Sequence, residues 1–193
     1  MRRAAVALLH HPILGRPGPD GEAEILTTTL TNLDMHDMSR SCRTYGLEAL
    51  YIVHPLASQR TVAERVRRHW VGGPGGKRIP DRAEALRILE VVPELAEAEA
   101  RLAERCGVGE VELWTTAAAD KGGTLTTYAA GRELVQQDGP PVLILFGTGW
   151  GLAPEVLEGA TRRLEPIRSR RDPSFNHLSV RAACAITLDR LFA

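Results

Sequence analysis

Between Val142 and Phe146 the chain is continuously apolar, and Gly147, Thr148, Gly149, Trp150 and Gly151 follow directly. A short run of this kind, with no polar alternation, reads as a strand buried on both faces, the signature of a parallel sheet covered by helices. Pro154 then suits the first turn of a helix, expected over 154–159. Three glycines in five positions let a ligand approach the backbone closely, and loops at the carboxyl ends of parallel strands are where α/β folds bind ligands. The spacing Gly-x-Gly-x-Gly is not a dinucleotide fingerprint: the sixth position is Leu152, and the loop lies late in the chain. On the loop alone, a structural turn and a ligand loop remain equally open.

The rest of the chain fits the same class. Apolar bursts at 5–9, 50–54 and 111–115 alternate with helical stretches, predicting an α/β domain over 1–193 with helices on both faces of a largely parallel sheet. Segment 15–24 is a turn or loop, and 24–29 a short extended piece. Thr31 or Asn32 caps a helix whose apolar stripe is Met35, Met38, Cys42 and Tyr45, most simply read as core packing. Further helices are expected over 58–70, 81–89, 94–106, 124–137 and 179–191. The glycine-rich run 72–77 lacks the spacing of a phosphate-binding loop and has Arg78 where Ser or Thr is required, so it reads as a mobile loop.

Apolar residues at 44% and charged residues at 25% exclude a disordered chain. Lys and Arg number 24, as do Asp and Glu, which argues against a strongly basic, nucleic-acid-coating protein and leaves only local basic patches. Residues 84–112 hold eight Glu against three Arg and predict an acidic, solvated face. Cys42, Cys106 and Cys184 are odd in number, far apart and in no ligand spacing, so they read as free thiols of a reducing cytosol with no metal site. The apolar opening run breaks at His10-His11-Pro12, too early for a secretion signal or a membrane span, and a cytoplasmic location follows as the expectation.

A second informative stretch runs from Arg168 through Arg170, Arg171, Asn176 and His177 to Ser179, Val180, Arg181 and the small residues 182–185. Ser179 can cap a helix whose first turns pack tightly. Asn176 and His177 either face a ligand or belong to a close-packed core.

With Thr31-Asn32-Leu33-Asp34-Met35-His36-Asp37 near the start, these segments give the chain a resemblance that spans nearly its whole length. It resembles the SPOUT superfamily of S-adenosylmethionine (SAM)-dependent RNA methyltransferases, and more closely a small bacterial subgroup marked by Thr-Asn-Leu-Asp-x-His-Asp. Arg40 precedes Gly46 by six residues, as in the superfamily's first motif, whose Asn is Asp34 here. The 146–152 loop matches the second motif without its Glu, and His177-Leu178-Ser179-Val180 is similar to the third. Trp114-Thr115-Thr116-Ala117-Ala118 is similar to a strand-end Thr-Ser-Ala-Arg whose Arg is replaced by Ala118.

The resemblance implies a carboxy-terminal trefoil knot, which ordinary chain topology disfavours. It implies SAM held by main chain at Thr115, Thr116, Ala117, Phe146, Gly147, Thr148, Gly149, Gly151, Leu152, Ile167, Leu178, Ser179 and Val180. Leu152, Ile167 and Leu178 form the apolar slot in this reading. Arg40 steers a phosphate or the acceptor nucleotide, and Asp37 and His177 are candidate bases. Arg43, Arg168, Arg170 and Arg171 are candidate contacts to a structured tRNA or rRNA, and Arg65, Arg67, Arg68, Lys77 and Arg78 form a second basic set. A homodimer is implied, with 182–185 and helix 32–45 at its interface. Two other classes stay open: a non-catalytic RNA-binding or regulatory protein keeping this fold, and an α/β enzyme whose glycine loop cradles another nucleotide.

Overall fold

The computed structural model describes residues 1–120, 123–169, 171–172 and 175–193. Arg170, one of the RNA-contact candidates, lies outside the described residues. The strands are β1 (Ala4–Leu9), β2 (Ile13–Leu14), β3 (Ile25–Leu26), β4 (Leu50–Val53), β5 (Leu89–Val92), β6 (Glu112–Thr115), β7 (Leu125–Thr126), β8 (Val142–Gly147) and β9 (Arg162–Leu164). The helices are α1 (Asn32–Thr44), α2 (Ala57–Val71), α3 (Pro74–Arg78), α4 (Pro80–Leu86), α5 (Leu95–Cys106), α6 (Tyr128–Gln136), α7 (Pro154–Glu158) and α8 (Val180–Phe192).

Seven strands form one sheet in the order β5-β4-β1-β8-β6-β9-β7, and every pairing in it is parallel. β2 and β3 make a separate antiparallel hairpin. Successive side chains of β1 and β8 enter opposite cores. Val6, Leu8, Ile144 and Phe146 pack with Met35, Met38 and Cys42 of α1, Val135 of α6 and Leu188 of α8. Ala5, Ala7, Leu143 and Leu145 pack with Ala98 and Leu102 of α5 and Leu157 of α7. Burial on both faces is why these strands are apolar throughout. The Met35–Met38–Cys42 stripe is core, and Thr31 caps α1, its hydroxyl accepting from Asp34 N at 3.2 Å.

Several elements differ from the sequence reading. The helix expected over 81–89 stops at Leu86, and Leu89–Val92 pairs with β4 as an edge strand. Leu86 and Leu89 keep helical spacing, which masked the strand run that follows. The 72–77 run is not an open loop. It forms α3, and Gly75 is buried, where an added Cβ would lie 2.7 Å from His69 Nε2. The helix expected from 124 begins at Tyr128, because Thr127 caps it and Tyr128 N donates to Glu165. The expected acidic face is half paired: Glu84 meets Arg43 and Arg87, Glu90 meets Arg101 and Arg105, Glu97 meets Arg101, and Glu112 meets Arg2 and Arg162.

β9 enters the sheet between β6 and β7, and the chain beyond it returns over the β6–β7 connection, where Asn176 Nδ2 donates to Ala118 O at 2.5 Å. This path fits the expected knot. Within the chain α8 packs on α1, bringing the buried thiols of Cys42 and Cys184 together.

His10, at the end of β1, is fully buried and stacks on His54 at 5.1 Å between ring centroids. Burial first, and the neighbouring His54 second, push its imidazole down to about 4 from an ordinary 6.5. The unfolded chain takes up a proton here before the native fold does. The stability this ring contributes is therefore present above about pH 6.5 and is lost as pH falls toward 4, by on the order of 3 kcal/mol. His10→Phe should flatten the acid-side fall in stability measured by urea unfolding; an unchanged slope would place the acid sensitivity elsewhere.

Candidate functional site

A cavity of about 660 Å³ opens at the carboxyl edge of the sheet, a volume ordinary for a small-molecule site. Four segments converge on it: 28–34 leading into α1, 116–118 after β6, the glycine loop after β8, and the chain between β9 and α8. The parallel sheet places these loops together, since all its strands end on this side.

The glycine loop is held from below by the hairpin. Leu14 N donates to Gly151 O at 2.9 Å, Trp150 N donates to Leu14 O at 3.0 Å, and the hydroxyls of Thr28 and Thr148 are in hydrogen-bond contact. Gly151 has φ +106°, a conformation L side chains rarely adopt, and no atom lies within 4 Å of where its Cβ would stand. At Gly151 the loop therefore presents bare backbone, beside the side chains of Thr148 and Trp150.

Two helix N-termini open on the cavity, α1 capped by Thr31 and α8 capped by Ser179. Between them runs an ion-paired bridge. Arg181 Nη1 donates to Asp34 Oδ1 at 3.1 Å, Thr31 Oγ1 donates to Asp34 Oδ2 at 2.5 Å, and Arg181 Nε lies 3.4 Å from Asp37 Oδ2. Asp34 is buried, and Arg181 and Thr31 between them engage both of its carboxylate oxygens. Deeper in the wall, the Tyr128 and Thr187 hydroxyls meet at 3.1 Å, and burial pushes the Tyr128 phenol up.

Of the residues expected around SAM, Thr116, Ala117, Phe146, Gly147, Thr148, Gly149, Gly151, Ile167, Leu178, Ser179 and Val180 line the cavity, as does His177. Two do not. Thr115 is buried in β6 with its hydroxyl donating to Arg162 O at 3.4 Å, and Leu152 is buried against the opposite core, bridged to Ile13. Arg40 and Asp37 stand outside this cavity and line a separate recess between α1, α2 and α4. Arg43 is engaged by Glu84 at 2.7 Å. Arg168 and Arg171 are on the exposed chain between β9 and α8.

Sequence reasoning missed Thr28, Thr29, Tyr128, Thr187 and the Arg181–Asp34 bridge. Asp34 and Arg181 are 147 positions apart, and no periodicity links them. The one local signal was the Thr-x-x-Asp spacing at Thr31 and Asp34, a capping pattern.

An all-parallel sheet whose carboxyl-edge cavity is closed by a returning carboxy-terminal segment is the architecture of the SPOUT methyltransferases. The AdoMet complex of the SpoU methyltransferase AviRb from Streptomyces viridochromogenes superposes with TM-score 0.58 at 15% identity, covering 99% of this chain and 57% of that one. The SAM-dependent RNA methyltransferase family matches residues 3–193, and the chain belongs to it. A protein called tRNA (guanine-N(1)-)-methyltransferase in Nitratidesulfovibrio vulgaris is 43% identical over 190 residues, covering 98% of this chain. The chain spans 42% of that relative's length. A protein of Aquifex aeolicus that carries no functional name is 34% identical, over 97% of this chain and 87% of its own length.

The bridge makes a direct prediction. Asp34→Ala leaves Arg181 and the Thr31 hydroxyl without their shared acceptor and should cost about 1–3 kcal/mol in urea unfolding, whereas Asp34→Asn should cost less than about 1. Equal losses in both variants would show that Asp34 acts by its charge alone.

Proposed function

We propose that this chain binds SAM in the carboxyl-edge cavity and transfers its methyl group to a nucleotide of a structured RNA, tRNA or rRNA, in the cytoplasm. The cavity carries the reading: main chain of the glycine loop and of 116–118, apolar walls at Phe146, Ile167 and Leu178, and two helix N-termini suited to a carboxylate. These features fit an amphipathic, zwitterionic cofactor with an adenine at one end. Family membership and the tRNA named for the Nitratidesulfovibrio vulgaris relative favour an RNA acceptor. The base atom in that name belongs to a much longer protein and is not carried over.

When bound, SAM supplies a methyl group on a good leaving group, so alignment and exclusion of water are the protein's main tasks. Trp150, Phe175 and Leu178 are exposed apolar groups at the rim and would shed water from the methyl as the RNA docks. His177, edge-on to Trp150 at 6.3 Å and tilted against Phe175 at 5.1 Å, stands where an acceptor proton could be taken. Arg40 and Asp37 line a different recess of the same chain. Their role in this reading needs a second copy, and a homodimer would bring one subunit's Arg40 to the other's cavity. Arg168 and Arg171 follow the RNA backbone beside the rim. Among the described residues, no helix is long and apolar enough to cross a membrane.

Isothermal titration with SAM and its demethylated product should give micromolar binding near one site per chain, with ATP and NAD silent. Binding of ATP or NAD without SAM would point to a different nucleotide enzyme. SAM binding without transfer to total tRNA or rRNA would point to a non-catalytic RNA-binding protein. Arg40→Ala should keep SAM affinity and lose methyl transfer by tenfold or more, since it removes a group that acts on the acceptor; unchanged turnover would sink that role.

A further inference from the structure

The recess that holds Arg40 is nearly as large as the first cavity, about 610 Å³, and the SAM reading leaves most of it unexplained. Its walls come from α1, α2 and α4, and three of its lining side chains are Arg40, Arg65 and Arg82. Many of the other arginines are neutralised: Arg2, Arg3, Arg43, Arg87, Arg101, Arg105, Arg162 and Arg181 each meet a carboxylate. Arg40, Arg65 and Arg82 meet none among the described residues. The recess holds a single acid, Asp37, and that acid faces Arg181.

The recess is also organised. The Arg82 guanidinium lies over the Trp70 ring, 4.8 Å from its centroid. His36 and His69 hold that ring edge-on, at 5.4 and 5.2 Å. A guanidinium stacked on an aromatic face keeps its N–H edges free and loses little further freedom when it binds an anion. Burial, with Arg82 next, pushes the His36 imidazole down, so His36 supports the ring without adding charge. Three like charges gathered in one concavity of a neutral protein repel one another and concentrate positive potential there. Their spread over three helices matches an extended polyanion better than one small anion.

We propose that this recess is a phosphate subsite for the RNA substrate, where Arg65 and the Trp70-supported Arg82 grip the ribose-phosphate backbone beside Arg40. The inference rests on the RNA methyltransferase reading and names where that substrate is held. It separates two jobs: the carboxyl-edge cavity takes the cofactor, and the α1–α2–α4 recess takes backbone phosphates.

The test uses the full chain with total bacterial tRNA and, in a parallel series, rRNA, with affinity read by fluorescence anisotropy across a salt series. Arg65→Gln, Arg82→Gln and the double variant are compared with the wild type, and Arg82→Lys tests whether charge alone suffices. The double variant should bind tRNA at least tenfold more weakly at low salt, and its salt slope should fall by about one unit per arginine removed. Arg82→Lys should fall between. SAM affinity by titration, and mass by light scattering, should match the wild type. Wild-type affinity and slope in the double variant would overturn the inference while leaving the methyltransferase reading intact. Weakening that appears only with a changed mass would overturn it too, marking the recess as a subunit contact. A wild type that binds SAM but no tRNA or rRNA would instead overturn the substrate reading itself.

Discussion

Strand β8 is paired along its whole length with β1 and over Val142–Leu145 with β6, and the site depends on this double ladder. Hydrogen bonds on both sides fix where the strand ends. The chain must therefore leave the sheet at Gly147, between the ends of β1 and β6. Thr148 Oγ1 reaches Leu9 O at 3.4 Å on one side, and Thr116 N reaches Leu145 O at 3.2 Å on the other. The glycine loop is thus held by its neighbours' backbones, and the cavity opens between this loop, the end of β6 and the starts of α1 and α8.

The two edges of the sheet are built on different principles. At the amino edge, ion pairs join the strands: Arg2 with Glu112, and Arg3 with Glu48 at 2.7 Å. Arg105 adds a bond to Glu48 O and a contact with Glu90. Little there is left over for a ligand. At the carboxyl edge, backbone and short hydroxyl side chains predominate, and the ion pair of Arg181 with Asp34 bridges two helix starts. Rigidity and chemistry are separated by the direction in which the strands run.

The central strands and the glycine loop were legible because burial on both faces writes itself as unbroken apolar runs, and 142–146 has no other good reading. α1 was legible from its Thr31 cap and its Met35, Met38 and Cys42 spacing. Short strands away from the centre were not: β5 shares Leu89 with a helical pattern, and β9, Arg162–Leu164, carries two arginines and looks like a loop. The cavity's main-chain wall followed from the family resemblance, which also drew in Thr115 and Leu152, both turned into the core by the strand and bridge they sit on. The Arg181–Asp34 bridge and the Trp70–Arg82 stack join residues on separate elements, where only the fold supplies the proximity.

Gly151, with its positive φ and empty Cβ direction, belongs to a wall made mostly of backbone. Such a wall sets an unusual pattern of mutational tolerance. Exchanging an outward side chain such as Trp150 would change what a ligand meets at the rim while leaving this backbone surface in place. Inserting or deleting a single residue would shift the strand end against its two neighbours and reshape the whole wall. Loop length is constrained first, and residue identity matters at the left-handed Gly149 and Gly151 and at Gly147, where a Cβ would stand 2.9 Å from Leu152 N.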